Sequence, residues 1–263
     1  MATEIRFPVG AAAVLALVAI LAGAAPTAQA ASHTRHIRIP ILMYHRIDRL
    51  EAGLPAITRR LTVDPGDFER QMLWLKRHGF HTITQAQLLA ALDDRRPLPA
   101  KPVLLTFDDG YRDVLGKASP VIARLGMHAT AYVITGRLSG ADPSFLTRPQ
   151  LRSLERRGIE IGSHTVTHAA LVDTGDAEAL EELADSRRTL ERALGHQVPW
   201  LAYPYGSYDS RVAALAARAG YVLAVTTDAG KCQDATRPLE LKRLEVLDTT
   251  GVAGLAALLA GAC

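Results

Sequence analysis

The chain has 263 residues, of which 48% are hydrophobic and 22% are charged. This balance is typical of a soluble globular domain and excludes a fibre or a disordered chain. Its 30 lysines and arginines accompany 27 acidic residues without any basic run that could bind a phosphate backbone, so no nucleic-acid partner is expected. The two cysteines, Cys232 and Cys263, are too few for a disulfide scaffold or a four-cysteine zinc site. They can pair if the protein is exported, but two unpaired thiols are the simpler expectation.

An apolar segment near the N-terminus predicts export. No charged residue lies between Phe7 and Ser32, and residues 9–25 contain only Ala, Val, Leu, Ile and Gly. The small-x-small pattern of Ala28-Gln29-Ala30 then predicts a signal peptide over residues 1–30 and a mature protein in the periplasm, cell envelope or medium. An uncleaved anchor is the alternative, because an apolar core of roughly 17 residues is near the lower limit for spanning a membrane. A pI near 9.0 is compatible with association with an anionic envelope.

After a predicted tail at residues 31–36, short apolar runs alternate with amphipathic stretches. Strands are predicted at Ile37–Tyr44, Thr82–Ile83, Val103–Phe107, Ala129–Ile134, Ile159–Gly162, Leu201–Tyr203 and Tyr221–Val225. Helices are predicted from Pro65, after the N-cap Asp64, to Gly79, and at Gln85–Leu92, Val114–Leu125, Arg148–Arg157, Ala177–Leu194 and Ser210–Ala219. This alternation predicts one α/β domain over residues 37–263, a barrel of seven or eight parallel strands. Reactive groups are expected at the C-terminal ends of its strands.

Two consecutive carboxylates, Asp108 and Asp109, follow the strand predicted at Val103–Phe107 and precede Gly110. They would therefore lie at the C-terminal end of that strand. Taken alone, this run also fits a turn in which an aspartate caps the next helix.

Two histidines four residues apart, His164 and His168, follow the strand predicted at Ile159–Gly162. Core or capping histidines are the simpler interpretation of that run alone. One carboxylate and two imidazoles from separate strand ends, however, form a three-ligand set with room for a water, as in catalytic zinc sites. If Asp109 is the carboxylate ligand, Asp108 lies beside the metal as a general base must.

A third run, Trp200–Gly206, leaves a predicted strand and turns at Pro204 and Gly206. It fits an ordinary aromatic turn. It also fits a turn that directs a backbone N–H at an oxyanion and provides a wall for a sugar ring.

In this order the three runs resemble the motifs of the polysaccharide deacetylases, carbohydrate esterase family four. Thr106–Gly110 matches the first motif, His164–His168 the second, and Tyr203–Gly206 stands for the third. The resemblance implies a distorted (β/α) barrel, one divalent metal ion, usually zinc, and removal of acetyl groups from N- or O-acetylated glycans. It also implies that Asp108 is the base, that Asp109, His164 and His168 hold the metal, and that the Tyr205 N–H contributes to the oxyanion hole.

The chain departs from this pattern in two places. Many members begin the third motif with an arginine that orients the base, where this chain has Ala202. The later motifs have no clear counterpart, and there Asp228 and Arg243 are the polar candidates, each more often a solvated residue or a salt-bridge partner. The run Pro40–His45 instead resembles the branch that acts on exopolysaccharides such as poly-β-1,6-N-acetylglucosamine, which implies His45 as the general acid.

The favoured function is a metal-dependent hydrolase that removes acetyl groups from N-acetylated amino sugars of a cell-envelope or extracellular polysaccharide. A deacetylase of O-acetylated glycans such as xylan, and a glycan-binding protein with weak catalysis on the same fold, are the alternatives. A non-haem iron oxygenase would also use two histidines and one carboxylate, although those residues usually lie on jelly-roll strands. No protein partner is inferred.

Overall fold

The computed structural model describes Met1 and residues 35–263, in which strands and helices alternate along the chain. The strands are β1 (His36–Arg38), β2 (Ile41–Tyr44), β3 (Arg46–Ile47), β4 (Thr62–Val63), β5 (His81–Thr82), β6 (Pro102–Phe107), β7 (Ala129–Val133), β8 (Ile159–Ser163), β9 (Trp200–Ala202), β10 (Leu223–Ala229), β11 (Cys232–Asp234) and β12 (Leu241–Glu245). The α-helices are α1 (Ala56–Arg60), α2 (Pro65–Arg77), α3 (Gln85–Leu92), α4 (Ser119–Leu125), α5 (Arg148–Glu155), α6 (Asp176–Leu194), α7 (Ser210–Arg218) and α8 (Gly251–Leu259).

The predicted signal peptide, residues 1–30, and most of the predicted tail lie outside the described residues. Between residues 35 and 263, no helix combines the length and the apolar character needed to cross a bilayer.

Seven of the strands form a closed parallel barrel. Their order around it is β2, β12, β10, β9, β8, β7 and β6, and the pairing of β6 with β2 closes the circle. In that closing pair Leu42 lies opposite Leu105, and Tyr44 lies opposite Phe107. The short strand β5 pairs only with the beginning of β6. The predicted α/β barrel is therefore confirmed, with seven strands.

Strand β6 shows why the sequence forms this barrel. Its residues from Val103 to Phe107 are buried on both faces, as expected for a parallel strand covered by helices. Successive side chains alternate between the two faces. Leu104 packs with Ile41 and Val225 in the barrel interior, whereas Leu105 packs in the layer beneath the helices.

The helix predicted from Pro65 is confirmed as α2. The Asp64 carboxylate accepts a hydrogen bond of 2.8 Å from the Gly66 N–H, and Pro65 occupies a position where its missing N–H has no partner to lose. Phe68 and Leu75 are buried on the face that packs against the barrel.

Proline changes two of the predicted elements. The strand predicted at Ile37–Tyr44 is interrupted before Pro40, and its two parts, β1 and β2, join different sheets. The helix predicted at Val114–Leu125 begins as a π-helical segment, Val114–Ala118, and is α-helical only from Ser119. Pro120 explains this, because it has no N–H to donate to the carbonyl four residues earlier.

A disulfide bond joins Cys232 in β11 to Cys263, with Cα atoms 5.4 Å apart. The expectation of unpaired thiols was therefore wrong. Arg38 of β1 adds a hydrogen bond of 3.0 Å from Nε to the Gly261 carbonyl. Together these contacts tie the segment after α8 to the small antiparallel sheet of β1 and β11.

Candidate active site

The predicted functional residues lie at the C-terminal ends of four barrel strands. His45 follows β2, Asp108 and Asp109 follow β6, His164 follows β8, and Tyr205 lies in the turn after β9. The strands run parallel, so all these ends meet at one mouth of the barrel.

Asp109, His164 and His168 form a cluster suited to a metal ion. The Oδ1 atom of Asp109 lies 3.4 Å from the Nε2 atom of each histidine, and the three potential ligand atoms lie within 4.8 Å of one another. The His164 Nδ1–H donates a hydrogen bond of 2.8 Å to the Ala202 carbonyl, which leaves the Nε2 lone pair for a cation. Two ligands that each lie about 2 Å from one ion are at most about 4 Å apart. A small inward movement of these side chains would therefore let all three atoms bind one divalent cation.

The histidines of this cluster differ in their affinity for protons. Burial and the neighbouring His164 lower the pKa of His168 to about 4, so its ring is neutral at pH 7, as a ligand must be. Burial also acts to lower the pKa of His164, but the hydrogen bond and charge of Asp109 and the charge of Asp108 raise it overall. Metal binding at the cluster is therefore expected to compete with a proton on His164.

Asp108 does not belong to the cluster but forms a buried ion pair with Arg243. Its carboxylate is 2% exposed and accepts two parallel hydrogen bonds, 2.7 Å from Nη1 and 2.6 Å from Nη2 of Arg243. Burial favours the neutral acid, but the guanidinium charge and hydrogen bonds outweigh it and hold the pKa of Asp108 well below its usual range. Asp108 is therefore ionised at neutral pH, as a general base requires.

Hydrogen bonds fix the guanidinium of Arg243. This residue lies in β12, a strand that was not predicted from the sequence. Besides its pair with Asp108, its Nε donates to the Thr226 carbonyl at 2.7 Å and its Nη1 to Thr106 Oγ1 at 3.2 Å. Arg243 in β12 thus takes the place of the arginine that many members have where this chain has Ala202 in β9, as the partner of the base. Asp228, the other polar candidate, is exposed, and its carboxylate accepts a hydrogen bond of 2.9 Å from the Tyr208 hydroxyl.

His45 faces the two aspartates from β2. Its charge is close enough to act on the pKa of both Asp108 and Asp109. Its Nδ1 atom is buried and has no hydrogen-bond partner among residues 35–263. A buried polar atom without a partner is unfavourable, so a donor or acceptor brought by a substrate or by water would stabilise this position.

Tyr205 lies at the rim of the site with its side chain 68% exposed. Its ring meets that of His168 edge to face, with centroids 4.4 Å apart. Its backbone is left-handed, with φ 58°, and its N–H has no acceptor within residues 35–263. The next residue must be glycine, because a Cβ at Gly206 would lie 2.0 Å from Thr227 Oγ1 and 2.6 Å from its backbone nitrogen.

Left-handed backbone is concentrated in this site. Six non-glycine residues have positive φ in the described part of the chain, and four of them are Asp109 (70°), Thr165 (63°), His168 (70°) and Tyr205 (58°). Each such residue costs about 1–3 kcal/mol and persists only where the surroundings enforce it. The fold thus holds the ligands and the turn in a fixed arrangement.

Comparison with known proteins places this geometry in a family. A family model described as polysaccharide deacetylase matches residues 95–224. The chain is 32% identical over 219 residues to YxkH of Bacillus subtilis (strain 168), a candidate polysaccharide deacetylase, and the match covers 83% of this chain and 74% of that protein. The chain belongs to the polysaccharide deacetylase family.

Two further proteins are similar to this polysaccharide deacetylase. The structure of the Streptococcus pyogenes deacetylase PplD in complex with acetate superposes with a TM-score of 0.79 at 30% identity, covering 86% of this chain and all of that one. Poly-β-1,6-N-acetyl-D-glucosamine N-deacetylase of Staphylococcus aureus is 23% identical over 160 residues. That match covers 56% of this chain and 55% of the relative. His45 and Arg243 both lie outside the stretch matched by the family model.

Proposed function

We propose that this polysaccharide deacetylase is a metal-dependent hydrolase that removes acetyl groups from N-acetylated amino sugars of a cell-envelope or extracellular polysaccharide. One observation carries the proposal: an ionised Asp108, held by Arg243, directly precedes Asp109 in a cluster with two histidines. A base beside a metal-ligand set is what hydrolysis of an acetyl group requires.

Asp109, His164 and His168 would hold the cation, and Zn²⁺ suits two imidazoles and one carboxylate. When bound, it supplies Lewis-acid chemistry for water and for an acetyl carbonyl.

The residues of the chain supply the proton transfers. A carboxylate oxygen of Asp108 accepts the proton of the attacking water, while Arg243 holds that carboxylate in one orientation. The free backbone N–H of Tyr205 donates a hydrogen bond to the acetyl oxygen as negative charge develops on it. The amine leaves only with a proton, and the His45 ring, whose Nδ1 is unpartnered, donates it.

The substrate class is supported by what the relatives are. The Staphylococcus aureus relative is an N-deacetylase of poly-β-1,6-N-acetyl-D-glucosamine, and the PplD structure contains acetate, the product expected here. The exposed Tyr205 ring offers an apolar face to a sugar ring.

Other functions have less support. The triads of non-haem iron oxygenases usually lie on jelly-roll strands, whereas these residues follow the strands of a parallel barrel. A glycan-binding protein without turnover would not need the buried pair of Asp108 and Arg243. Activity on O-acetylated glycans uses the same base and differs in that the leaving alcohol needs less help from an acid.

We also propose that the protein is exported. The apolar segment at residues 9–25 and the Ala28-Gln29-Ala30 pattern support this. The bond between Cys232 and Cys263 supports it independently, since disulfides persist in oxidising compartments. N-terminal sequencing of the purified envelope or secreted protein should begin near Ala31, whereas a chain that begins at Met1 in the membrane would indicate an anchor.

Acetate release tests the proposed activity. Protein stripped of metal with a chelator is reconstituted with Zn²⁺, Co²⁺, Mn²⁺ or Fe²⁺ and incubated with N-acetylglucosamine oligomers of β-1,6 and β-1,4 linkage and with acetylated xylan. Metal-dependent release from an N-acetylated oligomer is expected, with Asp108→Asn as the inactive control. Release from xylan alone would favour the O-deacetylase, and no release from any substrate would contradict the proposal.

A further inference from the structure

The loop between the two histidines of the metal cluster, residues 164–168, is bent at both ends. Thr165 and His168 have left-handed backbone, with φ of 63° and 70°. Inside the loop, a hydrogen bond of 3.1 Å from the His168 N–H to Thr165 Oγ1 supports this bend. Contacts from outside the loop must therefore stabilise its conformation.

A carboxylate on α6 provides such contacts. Glu182 Oε2 accepts hydrogen bonds from the Val166 N–H at 2.8 Å and the Thr167 N–H at 2.9 Å. Its Oε1 accepts the Thr167 hydroxyl at 2.8 Å. The Glu182 side chain thus binds three donors of this five-residue loop. It is 9% exposed and has no ion-pair partner among residues 35–263.

The other side of the loop is held in the complementary way. The Gly136 N–H donates to the Val166 carbonyl at 2.9 Å, and the Thr135 N–H donates to the Thr165 carbonyl at 3.0 Å. The approach is so close that a Cβ at Gly136 would lie 2.6 Å from the Val166 oxygen. The loop is therefore clamped between backbone donors on one side and Glu182 on the other.

Helix α6 does not need Glu182 for its own packing. Leu183 and Leu190 bury fully on the same face, and the Ser186 hydroxyl bonds to Ser163 Oγ at 2.7 Å. A carboxylate at a core-facing position next to these residues requires a partner, and the loop N–H groups are that partner. We propose that Glu182 is a positioning residue that sets the orientation of His168 toward the metal, an inference that rests on the proposed metal-dependent function.

The physical basis is the fixed geometry that metal ligands need. A carboxylate only accepts hydrogen bonds, so it matches three donors at once. Without it, the Val166 and Thr167 N–H groups lose their acceptor, and the left-handed backbone at His168 loses the support of one side of the clamp. Outer partners of metal ligands typically contribute about 10–100-fold to metal affinity.

The test compares Glu182→Ala and Glu182→Gln with Glu181→Ala, an exposed neighbour on the same helix. The Zn²⁺ dissociation constant of each metal-stripped full-length protein is measured by competition with a chromophoric chelator. Far-UV circular dichroism confirms folding. Glu182→Ala should bind Zn²⁺ about 10–100-fold more weakly, Glu182→Gln should retain part of the affinity through its amide oxygen, and Glu181→Ala should match the wild type. Saturating Zn²⁺ should restore most acetate release to Glu182→Ala.

Wild-type Zn²⁺ affinity in a folded Glu182→Ala protein would overturn the inference, and so would a Glu182→Gln protein that fails to fold, because the residue would then be purely structural. If Glu182→Ala does not fold, Glu182→Gln serves as the test: a reduced Zn²⁺ affinity supports the inference, and wild-type affinity overturns it. A wild-type protein that binds Zn²⁺ but releases no acetate would contradict the proposed function and leave the affinity comparison valid.

Discussion

Arg243, from the last strand of the barrel, holds both carboxylate oxygens of Asp108, from β6, at 2.7 and 2.6 Å. The two strands are not neighbours, because β2 lies between them. The ion pair therefore crosses β2, the strand that His45 follows. The base and the group proposed as the acid are thus brought together by closure of the barrel.

Replacing Arg243 with Met should impair both activity and stability. Burial raises the pKa of Asp108 and the Arg243 guanidinium is the main group that lowers it, so in the variant only the weaker effects of His164 and His45 would oppose burial and the pKa should rise. The acidic limb of the kcat/KM profile should then move to higher pH. Breaking a buried pair should also lower the free energy of unfolding by about 3–5 kcal/mol. Arg237→Met, which removes an exposed pair with Glu240, is the control.

In the same variant, the contribution that Asp108 makes to the stability of the fold should change with pH in the opposite direction. In the wild type, the pKa of Asp108 is lower in the folded protein than in the unfolded chain. Asp108 therefore stabilises the fold at any pH above its pKa in the unfolded chain, and this contribution is lost as the pH falls through its pKa in the folded protein. In Arg243→Met the raised pKa makes the contribution of Asp108 fall as pH rises. Urea unfolding of the metal-free proteins between pH 2 and pH 8 measures this, because the contribution of Asp108 in the wild type changes only below about pH 4. Parallel curves for the two proteins would show that Arg243 does not control this carboxylate.

Replacing the two adjacent aspartates should separate base from ligand. Asp108→Asn should retain the metal, because its carboxylate faces Arg243 and not the cluster, and should lose about 10²-fold or more in acetate release. Asp109→Asn should lose metal. Elemental analysis with acetate release checks both variants, and loss of metal from Asp108→Asn with retention in Asp109→Asn would show that the roles are exchanged.

His45→Ala should distinguish an acid from a packing residue. Amide hydrolysis needs protonation of the leaving amine, whereas an aryl acetate leaves as a stable phenolate and does not. We expect a much larger loss of rate on N-acetylglucosamine oligomers than on 4-nitrophenyl acetate, with the metal content unchanged. Equal losses on both substrates would place the acid elsewhere. His78→Ala, at an exposed helix end, is the matched control.

Removing the disulfide should lower stability without affecting chemistry. The bond links residues 31 positions apart, and the double variant Cys232→Ser/Cys263→Ser should lose roughly 2–4 kcal/mol in the free energy of unfolding. Neither cysteine contacts the metal cluster or Asp108, so acetate release at 25 °C should stay near that of the wild type. Thermal unfolding with and without reductant measures the first effect, and an unchanged midpoint would argue that the bond does not form.

The sequence predicted the part of the site that follows strongly apolar strands. Asp108 and His164 come directly after β6 and β8, whose burial leaves a clear pattern. Arg243 could not be placed in this way, because Leu-Lys-Arg-Leu-Glu has the composition of an exposed strand or a loop. Its burial is visible only once β12 is known to lie between β2 and β10. The pairing of Cys232 with Cys263 depends in the same way on a distance between remote segments.

Glu182 shows another limit of pattern reading. It lies among Ala179, Leu183 and Ser186 on the buried face of α6, where a carboxylate interrupts the apolar stripe. A charged residue at such a position is a signal that a partner exists. The sequence does not reveal that the partner is a loop folded back in left-handed conformation.

The left-handed residues around the cluster have a consequence for attempts to make this protein more heat-resistant. Glycine adopts positive φ without penalty, so Thr165→Gly would relieve backbone strain. The same change would remove the hydroxyl that accepts the His168 N–H and so loosen His168, a proposed metal ligand. A library selected only for survival at high temperature should therefore collect substitutions here that damage turnover. Directed evolution of this enzyme needs a screen in which retained activity and retained fold are scored together.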